Sequence, residues 1–232
     1  MKIQTSPPQS RAMAVKRRLP AFTLVELIVV ITIITILLTV GALGLKNLSK
    51  GSGISAGVPV AEAVFAEARA IAIGKGTNTR VLIHAELDSD DEFHKERYLR
   101  YMAIQYEELD ADGNPSGNWL LASRGTTLPD AVYFMKGLSE INAPVLQSET
   151  VTLPGNSSTT CYYYQFNSEG LITSPTISGN SVPRFVIQVA SLPPGQSTPV
   201  ASSDAKRNMG GFVIWRGGRT SLFRHPDQIE NN

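Results

Sequence analysis

The sequence predicts an α+β protein in which a long N-terminal helix, transmembrane in its first half and amphipathic in its second, packs on a C-terminal antiparallel β-sheet. Three observations support this prediction. Residues 22–45 form an apolar run with a single charge, which is long enough to cross a bilayer as a helix. Residues 60–73 repeat apolar side chains at spacings of three and four. Beyond residue 76, segments rich in Val, Ile, Tyr and Phe alternate with turn residues.

A basic leader precedes the apolar run. Residues 1–21 carry five positive charges and no acidic residue, and the rest of the chain has 16 basic and 20 acidic side chains, a net charge of −4. This asymmetry is typical of a targeting segment. Because Lys16, Arg17 and Arg18 directly precede the run, we expect a cytoplasmic N-terminus and an exported C-terminal domain. An ordinary secretory signal fits less well, since the small residue Ala21 stands before the run.

Glu26 is the one charged residue of the apolar run. A carboxylate in hydrocarbon is costly, so its position needs an explanation. Two explanations stay open from the residues alone. Glu26 either lies close enough to the membrane interface to reach water, or it pairs with a positive charge from another chain.

The stretch "AFTLVELIVVITIITIL", together with its basic leader, resembles the N-terminal signal of type IV pilins and type II secretion pseudopilins. The resemblance implies that a prepilin peptidase cleaves between Ala21 and Phe22 and methylates the new amino terminus of Phe22. The family usually has glycine where this chain has Ala21. It further implies that Glu26 pairs with the amine of a neighbouring subunit, which removes much of the cost of a carboxylate in low dielectric.

We divide the chain into a leader (1–21), a transmembrane and assembly helix (22–45), a kinked linker with an amphipathic helix (46–75) and a β-rich periplasmic head (76–232). Glycines and Pro59 weaken the helix in the linker, and Gly74 is well placed to end it. The expected apolar stripe of this helix consists of Val60, Val64, Ala68, Ile71 and Ala72.

Candidate strands in the head are short segments bounded by turn residues. They are 79–85, 97–105, 118–123, 131–134, 161–166, 184–190, 212–216 and 219–223. The sequence "WRGGRT" predicts a two-residue hairpin turn in which Gly217 and Gly218 take positive φ. Residues 192–204 are predicted to form an exposed loop.

The segments "FAEARAIAIGKGTNTRVLI", "NWLLASRGTTLPDAVYF" and "YQFNSEGLIT" resemble H-type minor pseudopilins and FimT-like minor pilins. The resemblance implies a non-enzymatic structural subunit, held in the bacterial inner membrane by a single span and assembled into a short periplasmic filament. The filament would serve type II secretion or a type IV pilus. The implied partners are the prepilin peptidase, other pseudopilins or pilins, and inner-membrane lipid.

Motifs for catalysis, metals or cofactors are not found in the sequence, and we predict no cofactor. Cys161 is the only cysteine and is interpreted as a buried strand residue rather than a nucleophile. His84, His94 and His225 form no short metal-ligand pattern such as H-E-x-x-H.

Alternating oxygen-bearing side chains begin at Asp110, as in a calcium-binding loop. An EF-hand starting there would need glycine and glutamate where this chain has Pro115 and Leu121. The Asp-Gly and Asn-Pro pairs favour a polar turn instead.

Two rival functions remain open. Arg216, Arg219 and Arg224 gather near the C-terminus with Trp215 among them; in a FimT-like minor pilin such a basic edge could bind DNA phosphates. The net charge of −4 outside the leader argues against this hypothesis, and scattered surface arginines are the simpler interpretation. In the other alternative, the chain is a permanently anchored periplasmic domain that never polymerises.

Overall fold

The computed structural model describes residues 24–87, 92–153, 158–177, 179, 181–201, 203 and 207–224, without the side chains of 36–52, 92 and 93. The chain divides into two units, Met1–Leu45 and Lys46–Asn232. The second unit holds all strands of the described residues and their hydrophobic core.

The helices of the described residues are α1 (Leu24–Lys75), α2 (Glu92–Arg97) and α3 (Lys136–Ser139). Where the sequence predicts a kinked linker, α1 continues as α-helix through Pro59, whose side chain is exposed. The helix ends at Lys75 rather than at the predicted Gly74. Gly76 follows with a φ of 65° and the amide of Thr77 donates to the carbonyl of Ala72, which is the bond of a Schellman end.

The strands form two antiparallel sheets. The large sheet has the order β3-β2-β1-β7-β6, with β4 beside β2 and β8 beside β7; the small sheet has the order β11-β10-β9-β5. Their bounds are β1 (Thr79–His84), β2 (Tyr101–Leu109), β3 (Pro115–Leu121), β4 (Thr126–Thr127), β5 (Val132–Phe134), β6 (Gln147–Thr152), β7 (Ser158–Phe166), β8 (Ile172–Ser174), β9 (Arg184–Val189), β10 (Met209–Ile214) and β11 (Thr220–Phe223).

The core of the second unit contains side chains from both sheets and from the later turns of α1. Phe65 is fully buried, and its ring lies 5.0 Å from the ring of Tyr164 on β7 and 5.0 Å from that of Phe212 on β10. The buried stripe of the helix is Ile54, Val58, Ala61, Val64, Phe65, Ala68 and Ala72. Of the predicted stripe, Val60 and Ile71 are only half-buried.

The predicted fold class is wrong. We expected an α+β protein with one long helix, transmembrane in its first half and amphipathic in its second, packed on a C-terminal antiparallel β-sheet domain. The folded unit is instead mostly β, with two sheets that share one core. Among the residues that the structure describes, no helix is both long and apolar enough to cross a membrane. The error has a physical source: period-two patterns identify strands, but they do not say which strands pair or how many sheets result.

Every candidate strand overlaps an observed one, but the bounds shift. The segment 97–105 was placed too early, because residues 92–97 form α2 and Leu99 has a φ of 53°, which no strand residue adopts. Strand β6 was not predicted, and its residues are exposed apart from Val151. An edge strand without an apolar face lacks the alternation on which the prediction depends.

The hairpin predicted from "WRGGRT" is present between β10 and β11, with a longer loop than expected. The amide of Trp215 donates to the carbonyl of Arg219, and the amide of Gly218 donates back to Trp215. Only Gly218 has a positive φ, at 71°. The turn therefore has three residues, and its last residue takes the left-handed conformation.

Candidate functional site

The predicted processing site, Ala21 and Phe22, lies outside the described residues. Glu26 stands in the first turn of α1 and is exposed. The residues around it, Leu24–Ile34, include nine large apolar side chains with exposed fractions of 46–74%. An apolar helix surface of this size requires a cover other than water.

The hydroxyls of this segment bond within the helix. Thr32 donates to the carbonyl of Ile28, and Thr35 to that of Ile31, both at 2.7 Å. Each hydroxyl thus returns to the carbonyl one turn back. The segment can enter an apolar environment without exposing these polar groups.

The three candidate arginines lie at the two ends of strand β11. Arg216 lies in the turn, Arg219 directly follows the turn, Arg224 follows β11, and all three are exposed. The indole of Trp215 is 46% exposed and donates to the hydroxyl of Ser221 at 2.8 Å. The structure therefore places Arg216 and Arg219 together at the turn, and Arg224 at the opposite end of β11, where Phe223 pairs with Gly211.

The stretch from Asp110 forms the polar turn that the sequence favoured. One carboxylate oxygen of Asp110 accepts the amides of Asp112 and Asn114, at 3.0 and 2.8 Å. This carboxylate is thus used by the turn between β2 and β3. Within the described ranges, no group of three or more His, Cys, Asp or Glu side chains is placed to hold a metal ion.

Cys161 lies on β7 and is fully buried, as predicted. Burial raises the pKa of its thiol to about 12, and the nearby Glu86 carboxylate acts in the same direction. A thiol that stays protonated at neutral pH is a poor nucleophile.

Sequence reasoning missed the pairing of His84 and His94. His84, on β1, is 1% exposed, and its Nε2 atom lies 3.1 Å from Nδ1 of His94 on α2 and 3.0 Å from the hydroxyl of Thr159. Burial, with smaller effects from His94 and Arg97, lowers the pKa of His84 to about 4. The two histidines are ten residues apart in the sequence, and no sequence pattern predicts their contact.

A cavity of about 370 Å³ is lined in part by Tyr98 and Leu99, the two residues that follow α2. Its walls include the aromatic side chains Tyr98, Phe134 and Tyr162, with Lys136 and residues 197–199. The hydroxyl of Tyr98 donates to the carbonyl of Ser197 at 2.5 Å. The volume is in the range of small-ligand sites.

On the outer face of the large sheet, Arg80 stacks on two aromatic rings. Its guanidinium lies 3.7 Å from the centroid of Trp119 and 4.6 Å from that of Tyr163. The same group bonds Gln165 and forms an ion pair with Glu149. The guanidinium of Arg80 therefore has both polar and aromatic partners. The Oε1 atom of Gln105, the residue that pairs with Arg80 across β1 and β2, is buried without a hydrogen-bond partner.

Comparison with known proteins gives no match: no family model, no curated protein and no solved structure matches this chain. No relative therefore supplies a function.

Proposed function

We propose that this chain is a non-enzymatic structural subunit of a pilin-like or pseudopilin filament. In this proposal a prepilin peptidase removes residues 1–21 and methylates Phe22. The subunit is then held in inner-membrane lipid by its apolar segment until it joins a short periplasmic filament for type II secretion or a type IV pilus. The observation that carries the proposal is the exposed apolar surface of Leu24–Ile34 around Glu26.

The exposure of this segment suggests what covers it. Its large side chains point around the whole helix rather than along one stripe, which suits lipid or a bundle of like helices better than one globular partner. In either apolar setting a carboxylate is costly without a counter-ion. A new amine at Phe22, one helical turn before Glu26, would give an adjacent subunit the charge that this carboxylate requires.

Intact-mass analysis tests the processing step. The full chain is co-expressed with an active prepilin peptidase, and with an inactive peptidase as the control. We expect loss of residues 1–21 and a mass gain of one methyl group on Phe22 with the active peptidase only. An unprocessed mass under both conditions would favour the permanently anchored domain.

Cross-linking in membranes tests the role of Glu26. We expect Glu26→Gln to lower the yield of multimers by at least about tenfold, because the ion pair is lost in low dielectric. Glu67→Gln is the matched control, since Glu67 is an exposed carboxylate of the same helix within the folded unit. If the Glu26 variant cross-links as well as the unaltered protein, the assembly role is wrong.

DNA binding is a second candidate function, favoured by the exposure of Arg216, Arg219 and Arg224 and by the exposed Trp215 at the turn. Replacing the three arginines by alanine should abolish a gel shift that weakens with salt. The control replaces Lys95 and Arg124, which are exposed elsewhere. Absence of a shift with the unaltered protein would remove this candidate.

A further inference from the structure

The His84–His94 contact has a defined proton arrangement. The Nδ1 atom of His84 is buried and has no hydrogen-bond partner, whereas Nε2 faces both His94 and Thr159. A buried N–H without an acceptor is rarer in proteins than an acceptor without a donor. The favoured tautomer of His84 therefore carries its proton on Nε2 and donates it, and Nδ1 of His94 is an unprotonated acceptor.

Adding a proton to either ring makes this buried arrangement less favourable. A proton on Nδ1 of His84 creates a buried charge and a buried N–H without an acceptor. A proton on Nδ1 of His94 places two N–H groups against each other at 3.1 Å. If His84 then changes its tautomer to accept from His94, its own N–H moves to the unpartnered Nδ1 position. Each route disfavours the contact at acid pH.

The charged and titratable neighbours do not reverse this effect. Arg97, on α2, adds positive charge near the pair, whereas Glu86 attracts it. Glu86 is exposed, and its carboxylate already accepts the amide of Thr160. On β7 and β2, burial raises the pKa of Cys161 and of Tyr101, which keeps both groups neutral.

The same two histidines anchor the wall of the cavity through their main chains. The amide of Tyr98 donates to the carbonyl of His94 at 2.9 Å, and the amide of Leu99 donates to the carbonyl of His84 at 2.8 Å. Tyr98 and Leu99 both line the cavity, and the hydroxyl of Tyr98 donates to the carbonyl of Ser197. The position of α2 is thus coupled to the position of this wall.

We propose that the His84–His94 pair is a pH-sensitive latch that holds α2 and the Tyr98 wall closed at neutral pH and releases them on acidification. The device acts within the folded head, so it does not depend on the proposed filament function. Its output is the accessibility of the cavity between Tyr98 and residues 197–199.

Hydrogen exchange of the full chain in nonionic detergent tests the latch. Exchange rates are corrected for the intrinsic effect of pH and compared between pH 7 and pH 4.5. We expect the corrected exchange rates of the Tyr98 and Leu99 amides to be at least about tenfold higher at pH 4.5 than at pH 7. The amides of Val81 and Ile104, within the large sheet, should not change.

His94→Gln is the decisive variant, because glutamine keeps an acceptor for His84 but does not titrate. We expect it to reduce the acid-induced opening at least about fivefold, while His225→Gln, the control for the third histidine, leaves it unchanged. Nitrogen-15 spectra of the rings at pH 7 should show His84 protonated on Nε2. The proposal is overturned if the Tyr98 and Leu99 amides of the unaltered protein open no more at pH 4.5 than at pH 7, or if His94→Gln retains the full acid-induced increase. It is also overturned if His84 carries its proton on Nδ1.

Discussion

The ring of Phe65 meets the ring of Tyr164 edge-on, with centroids 5.0 Å apart and planes at 67°. Tyr164 belongs to the large sheet, and the other side of Phe65 faces Phe185 and Phe212 of the small sheet. One side chain of the helix thus contacts the aromatic residues of both sheets. Edge-to-face packing adds to the free energy that burial of these rings supplies.

Phe65→Ala should lower the free energy of unfolding of the second unit by about 3–5 kcal/mol, because it leaves a cavity among the rings of Tyr164, Phe185 and Phe212. Chemical denaturation measures the change. Ile73→Ala is the control, since Ile73 is 48% exposed, and its effect should stay within about 0.5 kcal/mol. Equal losses for the two variants would contradict the central position of Phe65.

The two adjacent glycines of the hairpin should respond differently to alanine. A Cβ at Gly218 would strain a φ of 71° and collide with the carbonyl of Gly170 and with Arg69, whereas a Cβ at Gly217 meets nothing within 4 Å. Gly218→Ala should cost roughly 1–3 kcal/mol, and Gly217→Ala should be close to neutral. Thermal unfolding of the two variants measures this difference; equal costs would favour the two-residue turn.

Cys161 should be unreactive in the folded protein. Because its pKa is raised to about 12 and its side chain is buried, a thiol reagent at pH 8 should label it at least about a hundredfold more slowly than a free thiol. The same reagent should label one thiol per chain in denaturant. Rapid labelling of the native protein would show that β7 opens locally.

The stability of the head should fall on mild acidification. The pKa of His84 is about 4 in the folded protein, whereas the ordinary pKa of histidine is 6.5. As the pH falls, His84 therefore binds a proton in the unfolded chain before it does so in the folded protein. The neutral form of His84 thus contributes to the free energy of unfolding above pH 6.5, and this contribution is lost as the pH falls towards 4. At pH 5 the free energy of unfolding should be lower by about 2 kcal/mol.

Denaturant unfolding at several pH values checks this expectation. In His84→Gln the loss between pH 6.5 and 5 should shrink markedly, whatever the variant's absolute stability. The comparison uses the slope with pH because the substitution itself changes packing. An unchanged slope would mean that other groups cause the acid sensitivity.

Local features were the most predictable part of the fold. Cys161 was correctly expected to be buried in a strand, the hairpin at residues 215–219 was located by its glycines, and the Asp110 turn was identified by its composition. Each depends on residues close in sequence. The extra residue in the hairpin loop was missed because several turn types accept a Gly-Gly pair.

Some functional candidates could be found from the sequence, and others became visible only in the structure. Glu26 was noticed in the sequence because it interrupts an apolar run, and Arg216, Arg219 and Arg224 because they lie close together along the chain. The latch was not found, because its two histidines lie on separate elements and their contact depends on how α2 packs beside β1. The outer-face stack of Arg80 between Trp119 and Tyr163 joins three strands and was missed for the same reason.

The sequence by itself determined the basic character of residues 1–21, the apolar segment with its single carboxylate, and the approximate positions of most strands. Those features follow from charge, hydrophobicity and turn chemistry over short distances. The tertiary structure alone decided that the strands divide into two sheets, that Phe65 meets both, and that His84 finds His94. Pairing between distant segments is set by the whole core, whose shape no short stretch of sequence specifies.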